Sequence, residues 1–306
     1  MQSSLTFVIS QLSHIEQAVN EVRYPEIQYP ELVPVDTSAN EWAKSVTYFS
    51  SDKTGRAKWV NGLGDDIPFA RTQRQKHETD VHMAAIGYSY SLEEVMQARQ
   101  AGIDLPGDDA RAARRAYEEF VDNAVLLGDS EKNYEGLFNN STVTAASAGN
   151  GDWNNVATTS DEIIEDINEI IQGISAGTNY MVYADTLLLP YAKLELLAKK
   201  RLDNGTIPNS DITVLDFIKS KNVYTAVTGQ PLTIRAARGL ETAGSGSVNR
   251  MVAYLRRDDV LKVHIPMPHR FIPVQVENFT FKVPGMFRFG GLEIRRPKEV
   301  RYSDGI

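Results

Sequence analysis

The chain of 306 residues has no cysteine, only five histidines and only three tryptophans. Without thiols there are no disulfides and no thiolate metal sites, although zero cysteine fits either redox compartment. The histidines fall at positions 14, 77, 82, 264 and 269, in separate stretches. His264 and His269 straddle two prolines with no third ligand beside them, a poor pattern for a metal. No apolar run approaches the roughly 18 residues of a membrane span. The opening MQSSLTFVISQLSHIEQ lacks a basic region and turns polar too early for a secretory signal. Cations are in deficit, with 32 Lys plus Arg against 40 Asp plus Glu, a formal charge of −8. That argues against gripping nucleic acid through a broad basic surface. Enzyme signatures are missing too. Gly244–Arg250 is glycine-rich, but it lacks the third glycine, the Lys-Thr ending and the following helix of a phosphate loop. No nucleophile-elbow pattern occurs. Glu162, Glu165, Asp166 and Glu169 read as a solvated helix face without the spacing of a calcium loop. These absences leave no catalytic, cofactor or metal residue to name. The reading is a structural or interaction protein, with an uncharacterised enzyme as the alternative from another class.

What the chain does have is enough apolar residue for a full core, in one large domain or two smaller ones. Its best-bounded stretch is Asp108–Leu127. Asp108 and Asp109 suit a helix N-terminus and Gly128 a stop. Ala113, Tyr117, Phe120, Val121, Ala124 and Leu127 fall on one face, and Arg114–Glu118 and Arg115–Glu119 are i,i+4 pairs. This is the expected spine of an α+β protein.

Two stretches look built to reach other molecules. Leu5, Val8, Leu12, Ile15, Val19 and Val22 are spaced 3, 4, 3, 4, 3, an amphipathic stripe that docks on its own domain or on a neighbour. YPEIQYPEL follows, then Pro34, and three prolines in ten residues predict an extended strap with Tyr24 and Tyr29 as anchors. Residues 45–90 read as a long hairpin. Its middle, RTQRQKHE, has almost nothing to bury, and Trp59 looks exposed. Such an arm gains its order from a partner. His82, Ala84, Ile86, Tyr88 and Tyr90 share one face by period two.

The remaining expectations are coarser. Ser91 to Glu94 is a capping box for a short helix, and Thr159 to Glu162 another for a helix with an isoleucine face. Residues 142–159 are low in hydrophobicity and read as a linker between two lobes. Tyr180–Tyr183, Leu232–Ala236, Met251–Leu255 and Ile272–Val276 are predicted strands. Pro190 opens a helix, and the closing strands return to the spine helix.

This order of parts, with the stretches YPEIQYPELVPVDTSANEWA, ARRAYEEFVDNAVLLGD, SDITVLDFIKS and NRMVAYLRRDDVLKVHIPMPHRF, resembles the Hong Kong 97-type major capsid proteins of tailed bacteriophages. The resemblance covers nearly the whole chain and rests on order and extent. It implies an N-terminal arm at 1–44, an extended β-hairpin E-loop at 45–90, a peripheral domain with the spine helix at 91–149, an axial domain at 150–264 and peripheral return strands at 265–306. The implied function is self-assembly into an icosahedral head shell around double-stranded DNA, bound without sequence specificity. The implied partners are copies of itself in pentamers and hexamers, with scaffolding, portal and decoration proteins. Scaffolding is expected as a separate protein or not at all, and no membrane is involved. The location is the virion, after assembly in the host cytoplasm. The same-fold alternative is an encapsulin-type compartment. Inter-subunit contacts are expected at Leu5, Val8, Leu12, Ile15, Tyr24, Tyr29, Trp59, Arg71 and Arg74. Some relatives join an E-loop lysine to a peripheral asparagine, which makes Lys53, Lys58, Lys76, Asn123 and Asn278 the cross-link candidates. Deleting residues 1–34 is expected to abolish shells and leave a folded subunit.

Overall fold

A computed structural model describes residues 24–59, 67–101, 105–202 and 211–306. At its centre is a five-stranded sheet in the order Thr144–Ser147, Val300–Asp304, Arg250–Tyr254, Thr186–Leu189 and Thr233–Ala236. The outer pairs are parallel and the inner pairs antiparallel. Its middle strands are apolar on both faces, as strands covered on both sides must be. Period-two alternation divides them between two cores. Leu188, Val252, Tyr254, Val300 and Tyr302 face the spine-helix side. Leu187, Leu189, Met251 and Ala253 face the helix Ser160–Gly177, whose Ile163, Ile167, Ile170, Ile171 and Ile174 are all buried. The Thr159–Glu162 capping box opens that helix as predicted.

The spine helix runs Leu105–Leu126. It starts three residues before the expected Asp108, because Pro106 is acceptable in a first turn where no donor is required. It stops at Gly128, whose φ of +81° is a conformation open to glycine at little cost. Tyr117 and Phe120 meet Phe287 edge-on at 4.7 and 5.6 Å, so the closing strands do pack on the spine. Arg115–Glu119 is paired at 2.9 Å and Arg114–Glu118 at 3.9 Å.

Ser45–Thr54 and Arg71–Asp80 form an antiparallel ladder from Ser45–Asp80 to Thr54–Arg71 without a register slip. Ten residues per strand make a ribbon about 33 Å long at the usual rise. The period-two set after it holds, with His82, Ala84, Ile86, Tyr88 and Tyr90 alternating with exposed neighbours. These residues belong to the body: His82–Ala85 pairs with Gly285–Phe289, and Tyr88–Ser91 with Thr280–Val283.

Several expectations are corrected. Tyr29–Leu32 is a short helix in spite of Pro30, with Pro30 in its first turn. Residues 142–159 are no linker: Thr144–Ser147 is a sheet strand. In the same stretch Trp153 is fully buried and donates its indole N–H to Asp166 at 2.9 Å. Asp166 is therefore buried and removed from the acidic surface row. Tyr180–Tyr183 is a turn, with Asn179 and Tyr180 both left-handed. The predicted Ile272–Val276 strand is replaced by Met267–Phe271 and Gln275–Glu277. The closing strand Val300–Asp304 lies in the central sheet, between Thr144–Ser147 and Arg250–Tyr254.

Candidate inter-subunit interface

The N-terminal strap is bolted to the body before it reaches any surface. Asp122, buried on the spine helix, accepts from the backbone N–H of Gln28 at 2.9 Å and of Tyr29 at 2.7 Å. It thus serves as the anionic cap of the Tyr29–Leu32 helix from 93 residues away. Arg238 stands 3.5 Å from the same carboxylate. Leu32 and Val33 are buried in the spine-side core, and the Tyr254 hydroxyl donates to the Leu32 carbonyl at 2.8 Å. Tyr29, expected at a neighbour, is only 8% exposed and belongs to its own core. Burial, with Tyr117, Glu118 and Asp122 close by, pushes its phenol up to about 12. Tyr24, by contrast, is exposed, with the Arg115 guanidinium 4.1 Å above its ring. Leu5, Val8, Leu12 and Ile15 lie outside the described residues.

The strap continues as Val35–Asp36, parallel to Leu261–His264. Here a charged cluster forms around the buried His264 and Glu293, with Asp36, Lys262 and Arg295 half-buried about them. Asp36 is ion-paired with Lys262 and lies 3.6 Å from His264 Nδ1. His264 Nε2 is 2.8 Å from Glu293, and Arg295 meets the same Glu293 oxygen at 2.9 Å. The Arg295 guanidinium lies 4.7 Å over the Tyr48 ring, and Tyr48 stacks on His77 at 4.7 Å. One network therefore ties the strap, the body and the base of the ribbon. Burial opposes ionisation of both carboxyls, but hydrogen bonds from Lys262 and Ser38 hold Asp36 well below the usual carboxylate range. Hydrogen bonds with His264 and Arg295 lower the Glu293 carboxyl from its ordinary value.

Depressed carboxyls contribute stability that is complete above their unfolded values and is lost as pH falls through the folded ones. Acidification from about pH 6 to about pH 3, across the ordinary carboxylate range, is therefore expected to speed amide exchange at Val35–Asp36 before the central sheet opens. Hydrogen-exchange mass spectrometry checks this, and Asp36→Asn with Glu293→Gln should flatten the response.

Among its described residues the ribbon has no core of its own. Trp59 is 103% exposed, and Phe49, Ile67 and Phe69 are also open to solvent. Arg71 and Arg74 are exposed on the second strand. Lys53 lies on the first strand and Lys58 just beyond it, and Lys76 is paired with Glu78 at 2.5 Å. Asn123 is exposed on the spine helix. Asn278 is exposed at the turn between Gln275–Glu277 and Thr280–Val283, with φ +55°. The structure thus puts the candidate lysines on the ribbon and the candidate asparagines on the body. Phe279, Val276 and Met96 are exposed apolar positions that sequence reasoning missed. Only the alternation within 275–283 hinted at an open sheet face there.

An uncovered two-stranded ribbon on a two-core α+β body is the arrangement that the resemblance to Hong Kong 97-type capsid proteins implies, and solved structures share it. The capsid of Myoviridae phage XM1 superimposes at TM-score 0.82 with 19% identity, covering 97% of this chain and 98% of that one. Mycobacterium phage Bobi gives 0.65 at 12% identity over 99% and 98%, and the capsid of an empty GTA particle 0.64 at 10% over 95% and 94%. No curated protein matches. A family model described as major capsid protein matches residues 55–306. The chain belongs to that family and is a structural subunit of a phage head shell.

Proposed function

We propose that this subunit closes an icosahedral head of pentamers and hexamers by laying its ribbon and the first residues of its arm on neighbouring copies. The observation that carries this reading is the ribbon itself, long and regular, with apolar side chains at Phe49, Trp59, Ile67 and Phe69 that nothing among the described residues covers. Ring-closing heterologous contacts of this kind need only modest affinity each, because every subunit meets many neighbours at high effective concentration. The reading assigns the arm to 1–44, the E-loop to 45–90, peripheral parts to 91–149 and 265–306, and the axial part to 150–264. The fold modifies it in one respect: residues 24–36 hold the arm to its own body, so the reaching part of the arm is what precedes them. The role is structural, without catalysis. The shell encloses double-stranded DNA as an inert wall, which a net charge of −8 suits. It assembles in the host cytoplasm with scaffolding, portal and decoration proteins as partners.

Trp59 supplies the test. Because its side chain is fully exposed among the described residues, Trp59→Ala should leave subunit stability within about 0.5 kcal/mol. If the ribbon lies on a neighbour, the same change should sharply lower the yield of shells in negative-stain micrographs. Undiminished shells from Trp59→Ala, and from a ribbon cut back to a short turn, would remove the ribbon from the assembly contact.

A further inference from the structure

The strap, the body and the root of the ribbon meet on one charged sheet face. Val35–Asp36, Leu261–His264 and Leu292–Ile294 form a three-stranded sheet in that order. Alternation sends Leu261, Val263 and Leu292 into the spine-side core and leaves Asp36, Lys262, His264 and Glu293 on the opposite face. The register sets Asp36 beside His264, and Glu293 directly across from Lys262. Opposite charges so placed attract. Lys262 therefore has two carboxylates within its reach, Asp36 from the strap and Glu293 from the body. It pairs with Asp36. Glu293 Oε2 is taken instead by His264 and Arg295. Among the described residues, Glu293 Oε1 and His264 Nδ1 have no hydrogen-bond partner, so Glu293 keeps an acceptor to spare.

Arg295 is the brace of the ribbon. Along both ribbon strands only Ser45, Val46, Tyr48, His77 and Thr79 are sheltered at all, and every one lies at the root. Tyr48 and His77 are register partners stacked at 4.7 Å, and the Arg295 guanidinium covers Tyr48 at 4.7 Å. Burial and the charge on Glu293 raise the Tyr48 phenol, so that carboxylate is felt at the ribbon. Below the brace, Arg288 donates to the carbonyls of Glu41 at 3.0 Å and Val81 at 3.2 Å, one on each side of the root. Arg288 is placed as a pivot, and Arg295 as the stay above it.

We propose that Lys262 is a partner-switching cation that makes the stiffness of the ribbon depend on the seating of the strap. With the strap seated, Asp36 holds Lys262, and Glu293 is left to hold Arg295 over Tyr48. When the strap lifts, Asp36 leaves with it and Lys262 takes Glu293. Arg295 then loses its anchor, and the ribbon pivots on Arg288. By linkage the effect is reciprocal, so a ribbon fixed by contact favours a seated strap. The switch rests on the assembly reading only for its use: a subunit presents a stiff ribbon once its strap is in place.

Hydrogen-exchange mass spectrometry on the full chain, unassembled, tests it. Asp36→Asn should speed exchange at residues 47–49 and 77–79 at least about fivefold, with the central sheet at the parent rate. Adding Lys262→Met removes the competitor for Glu293. The double variant should bring the root back to within about twofold of the parent while Val35–Asp36 stays fast. Mere continuity of the chain from strap to root predicts no such recovery. An unchanged root in Asp36→Asn, or no recovery in the double variant, overturns the switch. If Asp36→Asn opens the central sheet as well, Glu293→Gln decides, since it leaves the Lys262–Asp36 pair in place. A root that is then faster, with the strap unchanged and no slowing by added Lys262→Met, upholds the switch, and an unchanged root overturns it. The assembly reading fails separately, on shell yield rather than on exchange in the lone subunit.

Discussion

Replacing Asp304 with alanine is expected to cost the unassembled subunit about 3–5 kcal/mol, because it strands a buried guanidinium. Arg250 and Asp304 sit on adjacent central strands and are both buried. Their contact is bidentate, Nε to Oδ1 at 2.6 Å and Nη2 to Oδ2 at 2.8 Å, the fork geometry that makes Arg–carboxylate pairs strong. The remaining Arg250 nitrogen donates to the Phe138 carbonyl at 2.5 Å, and the guanidinium lies 4.4 Å over the Tyr302 ring. Tyr302 in turn donates to the Leu137 carbonyl at 2.6 Å. The pair therefore fastens the turn after the spine helix to the central sheet. Burial works against the ionised form of Asp304, but Arg250 and the Ser245 N–H outweigh it and hold the carboxyl below its usual value. Its contribution is complete above the unfolded carboxyl value and fades as pH falls through the folded one. Urea denaturation at neutral pH measures the loss. Arg250→Met with Asp304→Leu should recover most of it, since an apolar pair of similar volume removes the uncompensated charge. A single Asp304→Ala variant within about 1 kcal/mol of the parent would mean that water reaches the guanidinium.

That pair was invisible in the sequence, and the reason is general to this chain. Elements whose signal is local were legible. The 3.6-period face of the spine helix, both capping boxes, the isoleucine stripe and the alternating His82–Tyr90 set all depend on neighbours within a few residues. What failed depended on partners far along the chain. Proline spacing argued for an extended path at Tyr29–Leu32, but Asp122 supplies the helix cap from another element. Low hydrophobicity argued for a linker at 142–159. In fact Asp166 anchors Asn150 and Trp153 with buried hydrogen bonds that hydropathy does not register. Aromatic content argued for a strand at Tyr180–Tyr183, where two left-handed residues make a turn. The ribbon was legible because a run such as RTQRQKHE has so little to bury that its only plausible role is outside the core. The exposed Phe279 and Met96 were not legible, since the fold alone brings the two elements that carry them together.

The arm shows what that difference means for an experiment. Cutting residues 1–34 was expected to separate assembly from folding, but the fold predicts that it does not. Tyr29, Leu32 and Val33 are core residues, each worth about 1.5–3 kcal/mol when fully buried. Their removal also leaves Asp122 buried without the two N–H donors it caps, a further loss of about 1–3 kcal/mol. The sum rivals the roughly 5–15 kcal/mol that holds a typical domain together. The expected result for the 1–34 deletion is an insoluble or molten subunit, recognisable by loss of near-ultraviolet circular dichroism. Deleting only residues 1–23 spares every one of these contacts. That shorter deletion should leave the melting temperature of the subunit unchanged and still prevent shells, provided the Leu5–Ile15 stripe binds a neighbour. Shells of normal size from the 1–23 deletion would confine the stripe to its own subunit. A well-folded subunit from the 1–34 deletion would mean that the spine-side core closes without its strap.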